Sequence, residues 1–149
     1  MKCLVIGYGN TLRSDDGVGQ LVAEQVANWN LRNLRVISTH QLTPDLAADI
    51  AETELVIFVD AYLASATPKI ETYCLKPLAN FTKIESHISN PRVLLTLAQT
   101  LYNHCPQAWL ITVPGENFDL GDCLSPLTQR GMTEAIKQIE SLLTKVKKK

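Results

Sequence analysis

Glu54-Leu55-Val56-Ile57-Phe58-Val59-Asp60 is apolar at every position between its two acidic ends. A strand without polar alternation is buried on both faces, as in the parallel sheet of an α/β structure. The run is too short to span a bilayer, and Asp60 interrupts the apolar stretch around it. A carboxylate at the end of such a strand is costly to bury without a partner. Either it caps backbone amides of the next loop or it belongs to a site, because functional groups of open α/β sheets gather outside the strand carboxyl ends.

Outward from this strand, extended and helical patterns alternate, so the whole chain (1–149) reads as one α/β domain. Upstream, residues 2–7 form a first strand that ends at a loop with Gly7, Gly9 and Asn10. A helix follows from about Asp16, with Val18, Leu21, Val22 and Val26 at helical spacing and Ser14 or Asp15 as its cap. Residues 34–39 are a β-branched second strand, and Pro44 opens a short helix with Leu46, Ala47 and Ile50. Downstream, residues 69–75 alternate as an edge or antiparallel strand does. Pro91 opens a long helix through Leu101, residues 108–113 make a fifth strand, Pro114 to Pro126 is a loop, and the last helix runs from about Leu127 to Lys145. The product is a three-layer sandwich with about five strands between helices. Its topology gathers the loops after Gly7, Asp60 and Val113 at one rim.

Composition narrows the function. Apolar residues make up 46% and charged residues 19% of 149 residues, with a net charge of −1. Such a chain builds a core and offers no basic stripe for nucleic acid. The terminal lysines read as a solvated helix end. Met1 to Gly7 reads as a strand and not a signal peptide, so a cytoplasmic, membrane-independent protein is expected. None of the four cysteines forms a CxxC pair; Cys3 and Cys74 are expected to be buried in strands, and Cys105 and Cys123 lie near turns.

The segment from Gly7 to Gly19 has the strand, Gly-x-Gly, helix order of a dinucleotide site. However, Leu12 stands where the third glycine belongs, and Ser38, Thr39 and His40 stand where an acidic ribose ligand belongs. Asp15 and Asp16 would also repel a pyrophosphate. Helix capping accounts for one of these carboxylates better than for both. Gly17 and Gly19 weaken the first helical turns by about 1 kcal/mol each relative to alanine, and they suggest close approach by another chain.

His87, in the polar stretch Ile84-Glu-Ser-His-Ile-Ser-Asn-Pro91, is on spacing alone a solvated loop histidine. If the fold carries it to Asp16 and Asp60, two carboxylates and one imidazole make an incomplete O/N set for a first-row divalent metal. His40 borders the same cleft, and His104 is a helix-end surface residue. No GxSxG elbow or Cys/His pair is present, so a hydrolytic reaction would depend on a carboxylate or a metal.

Gly7-x-Gly-Asn-x-Leu-x-x-Asp-Asp-Gly-x-Gly19 resembles the N-terminal signature of the [NiFe] hydrogenase maturation endopeptidases. Asp60-Ala61 after the apolar strand, Ser86-His87 before a helix, and Pro114-Gly-Glu-Asn-Phe118 leading to Leu124-Ser-Pro126 agree in order, so the resemblance covers nearly the whole chain. His40-Gln-Leu-Thr-Pro-Asp-Leu46 is similar to the branch serving bidirectional, NAD-linked hydrogenases. Other branches carry an Asp-Gly-Gly-Thr type stretch here, where this chain has Ser38 and Thr39, so any role of that acid does not carry over. The resemblance implies a twisted five-stranded, mostly parallel sheet with one antiparallel strand. It implies Asp16, Asp60 and His87 as nickel ligands, with Asp16 as candidate catalytic base and His40 and Gln41 as candidate substrate contacts. The implied substrate is the large-subunit precursor, which supplies the nickel and loses a C-terminal extension to a monomeric enzyme. No organic cofactor is implied. The competing expectation is a nickel-checking chaperone that uses the same ligands and cuts nothing.

Overall fold

The apolar run forms the middle of β3 (Leu55–Leu63), the central strand of a five-stranded sheet. In the computed structural model, which describes residues 1–78 and 90–147 and side chains through 145, β1 (Cys3–Tyr8) is followed by α1 (Val18–Ala27) and β2 (Leu34–Thr39). Then come α2 (Leu46–Ala51), β3, β4 (Glu71–Leu75), α3 (Pro91–Tyr102), β5 (Gln107–Gly115) and α4 (Pro126–Lys147). The sheet order is β2-β1-β3-β5-β4. The first four strands of that order are parallel, and β4 pairs antiparallel with β5 at the edge.

Two cores follow from the side-chain period of two in β1 and β3. Leu4, Ile6, Tyr8, Val56 and Phe58 face α2 and α3 through Leu46, Ile50, Leu94 and Leu95. Val5, Leu55, Ile57 and Val59 face α1 and α4 through Val18, Val22, Ala135 and Ile139. Each fully buried Leu, Ile, Val or Phe contributes about 1.5–3 kcal/mol, so a three-layer arrangement is what an apolar central strand requires. The layers, the strand number and the single antiparallel strand agree with the sequence reading.

Local differences have physical causes. Helical structure does not begin at Asp16 as an α-helix: Ser14–Gly17 is a 3-10 turn, and α1 starts at Val18. Ser14 has φ +52°, a left-handed backbone that an α-helical start excludes. Neither Ser14 nor Asp15 caps the helix through its side chain, because both turn toward another loop. Gly7 and Gly19 serve internal packing. A Cβ on Gly7 would lie 1.9 Å from the Gly19 carbonyl oxygen, and one on Gly19 would lie 2.4 Å from that of Tyr8. Strand β3 continues past Asp60 to Leu63, and β5 continues to Gly115, because the two ends pair with each other. Pro44 precedes α2 rather than opening it. Cys74 is exposed on the edge strand; Cys3 is half-buried. Among the described residues no helix is long and apolar enough to cross a membrane.

Candidate functional site

Strands β1, β3 and β5 run parallel, so the loops that follow them share one rim of the sheet, as the sequence predicts. The same alternation that places Tyr8 with Leu4 and Ile6 places Asp60 with Val56 and Phe58. Tyr8, at the end of β1, and Asp60, in the neighbouring β3, thus share one face, with the phenol close enough to the carboxylate to act on it as a donor. Burial, together with the adjacent Asp60 charge, pushes the Tyr8 phenol well above its ordinary range, so it stays protonated and remains a donor.

Asp60 is half-buried, and its Oδ1 accepts from the Ala61 N–H at 2.8 Å. Burial pushes its carboxyl up to about 6; the Ala61 and Tyr8 hydrogen bonds pull the other way, and the nearby Asp16 charge adds to the rise. A carboxyl that titrates near neutrality beside a second carboxylate is suited to move protons or to receive a cation. Asp16 reaches this rim from the turn after β1, and its Oδ2 accepts from the Asn10 N–H at 2.8 Å. Gly9, with φ +143°, makes that approach possible, since a Cβ there would lie 2.0 Å from the Asp16 carbonyl oxygen.

Asp16 and Asp60 therefore lie at the same rim, near enough for the Asp16 charge to act on the Asp60 carboxyl. His87 lies outside the described residues. Among the described residues no group of three or more His, Cys, Asp or Glu is arranged to hold a metal; the two carboxylates alone are too few ligands for a catalytic site. His40 and Gln41 are exposed just beyond β2, whose last residue, Thr39, accepts from the Gly9 N–H at 3.2 Å. That places both on the same rim, two strands over from Asp60, with β1 between. His104 is exposed just past α3, as the sequence reading expects, and its Nε2 lies 2.6 Å from the Thr53 carbonyl oxygen, which ties the end of α3 to the α2–β3 loop.

The residue that sequence reasoning undervalued is Asp15. It is fully buried and has no cationic partner among the described residues, yet it is saturated with hydrogen bonds. The N–H groups of Glu116 and Asn117 donate to Oδ2 at 2.9 and 3.0 Å, the Ser125 hydroxyl to Oδ2 at 2.8 Å, and the Ser125 N–H to Oδ1 at 2.7 Å. Burial opposes ionisation here, but the Ser125, Glu116 and Asn117 bonds outweigh it and hold the carboxyl below its ordinary value. Ser125 also accepts from the Thr128 N–H at 3.3 Å and so caps α4. A second line of bonds runs parallel: the Ser14 N–H donates to the Gly121 carbonyl at 2.9 Å, the Ser14 hydroxyl to Asp119 at 2.8 Å, and the Gly121 N–H to Leu12 at 2.9 Å. The pair of acids next to an odd glycine spacing was a usable signal for Asp15; the β-period of Leu4, Ile6 and Tyr8 was one for Tyr8. Gln20 gave none, although its amide bridges the Gly9 carbonyl and the Ser38 hydroxyl at 2.7 and 2.8 Å.

A mixed five-stranded sheet between helix layers, with carboxylates at the rim of its parallel strands, defines a fold shared with solved structures. The [NiFe] hydrogenase maturation protease HybD from Thermococcus kodakarensis superposes with a TM-score of 0.74 at 22% identity, covering 95% of this chain and 99% of that one. The hydrogenase maturating endopeptidase HybD from E. coli gives 0.73 at 20% identity, covering 98% and 94%. The [NiFe] hydrogenase maturation protease HycI from Thermococcus kodakarensis KOD1 gives 0.72 at 22% identity, covering 96% and 92%. Over nearly full length, then, the chain has the fold of these proteases. No protein-family model and no curated protein sequence matches it.

Proposed function

We propose that the chain is an endopeptidase that removes the C-terminal extension of a [NiFe] hydrogenase large-subunit precursor. The observation that carries this reading is the meeting of Asp16 and Asp60 at the parallel-strand rim of a fold shared with proteases of that name. Nickel enters as the precursor's cargo, held there by thiolates, and serves as a recognition tag. Asp16 and Asp60, with His87 as the sequence suggests, complete its coordination and so hold the scissile region in place, where proximity lowers the barrier. Asp16 is the proposed base for the attacking water, and His40 and Gln41 the proposed contacts with the substrate. Carboxylate oxygens and one imidazole are a poor set for retaining nickel without those thiolates, so the isolated protein should hold the ion weakly.

The resemblance of the segment from His40 to Leu46 supports a precursor from the NAD-linked branch, and we take the enzyme to act as a cytoplasmic monomer. Purified precursor, with and without nickel, is incubated with the protein and weighed intact. Loss of a C-terminal peptide from the nickel-loaded form alone is the expected result. Binding with no loss of mass would instead support the nickel-checking chaperone, and cleavage of unrelated peptides would support a general peptidase.

A further inference from the structure

Asp15 and Asp16 are consecutive, yet one carboxylate is enclosed in the protein and the other is half-buried at the rim that holds Asp60. The turn that separates them is held in an unfavourable backbone: Ser14 sits at φ +52°, a left-handed conformation that a non-glycine residue seldom adopts. The turn has its own bonds, from the Arg13 N–H to the Asn10 carbonyl and from the Asp16 N–H to the Arg13 carbonyl, each at 3.1 Å, and the loop after β5 adds to them. It grips Ser14 through Gly121 and Asp119 and Asp15 through Glu116, Asn117 and Ser125, and the Asp15 N–H donates back to the Asn117 carbonyl at 2.9 Å. The packing leaves no slack, since a Cβ on Gly115 would lie 2.9 Å from the Asp15 Cβ and 2.8 Å from the Phe118 ring. The grip is on the residue next to Asp16 in the chain, and the bond from Asn10 fixes Asp16 from its other side.

We infer that Asp15 is a positioning residue: by clamping the loop of residues 116–125 onto the strained turn at Ser14, it aims the Asp16 carboxylate at Asp60. It neither ligates nor transfers a proton, being enclosed on all sides. The inference rests on the processing activity proposed above for its functional readout, and on backbone protection for its structural one.

Two variants test it. Asp15→Asn keeps the side-chain size but turns an amide NH2 toward N–H donors; Ser125→Ala removes one hydroxyl donor and leaves the three amides. Each is assayed on nickel-loaded precursor at a temperature where circular dichroism shows it folded. Asp15→Asn should lower kcat about 100-fold, the scale of a misplacement near 1 Å, while KM changes by less than about twofold. Ser125→Ala should lower kcat about fivefold on the same scale. Hydrogen exchange at the Glu116, Asn117 and Ser125 amides should quicken in both. A folded Asp15→Asn with wild-type kcat, or one in which KM alone rises, overturns the inference. Should Asp15→Asn not fold, Ser125→Ala decides: freed loop amides with unchanged kcat would refute the role. If wild-type protein leaves the precursor whole, the processing reading fails instead. Exchange then judges the clamp alone, and unchanged protection in Asp15→Asn would end it.

Discussion

Two regions at one rim treat the carboxylate in opposite ways. Around Asp15, every neighbouring donor has been spent on a single buried anion, and the result is a knot between two loops. Around Asp60, burial has been imposed with less compensation, and the result is a carboxyl raised to about 6 beside a second negative group. The knot stabilises the fold by satisfying its charge. The cleft stores an electrostatic cost, and sites that bind cations or move protons are built in that way. The adjacent Asp15 and Asp16 divide in the same way, one enclosed by donors and the other half-buried at the rim with Asp60.

The contrast can be broken most forcefully at Asp60. Asp60→Ala should lower precursor processing by about 10³-fold, a typical loss for a group acting on protons or ligands at a reaction centre, with thermal stability unchanged or higher. A drop in Tm with activity intact would reverse the two regions' roles. Asp15→Ala should do the opposite in stability: loss of the charged acceptor leaves buried donors open and costs about 3 kcal/mol, or ~10 °C in Tm for a chain of this size, read by calorimetry.

The pH dependence separates the regions by sign. Asp60 has its folded pKa raised from 3.8 to about 6, so the folded state holds its proton longer than the unfolded state does. Stability from this group is present below about pH 4 and falls as pH rises to about 6, by about 3 kcal/mol in all. Denaturant unfolding of Asp60→Asn across that window should lack this slope. Asp15 has its folded pKa lowered, so its contribution is present above its unfolded pKa and is lost as pH falls through the folded value. Acid unfolding should accordingly shift to higher pH in a variant with a weakened knot. The smallest effect is expected for Ser125→Ala, about 1.5 kcal/mol from one charge-assisted bond and a helix cap, measured by the urea midpoint.

Much of this architecture can be read along the chain. The uninterrupted apolar strand, the helical spacing of Val18, Val22 and Val26, and the prolines at helix starts all report local burial, which repeats with the period of the element. Asp60 was legible as a candidate because a carboxylate ending an apolar strand is rare and expensive. Tyr8 could have been found by the same alternation. Asp15 could not be told from Asp16 by any local rule, since both suit a helix start. The exposure of Cys74 was hidden as well: an edge strand alternates like any other, and only its place beside β5 leaves it uncovered.

By itself, then, the order of residues determined the strands, the helices, the sheet's parallel character and the rim where chemistry would gather, because hydrophobic period and turn chemistry act over neighbouring residues. Only the tertiary structure decided which aspartate is buried and which faces the cleft. That choice depends on donors from Glu116, Asn117 and Ser125, a hundred residues away along the chain, and a carboxylate's environment is a property of what packs against it, not of its sequence neighbours.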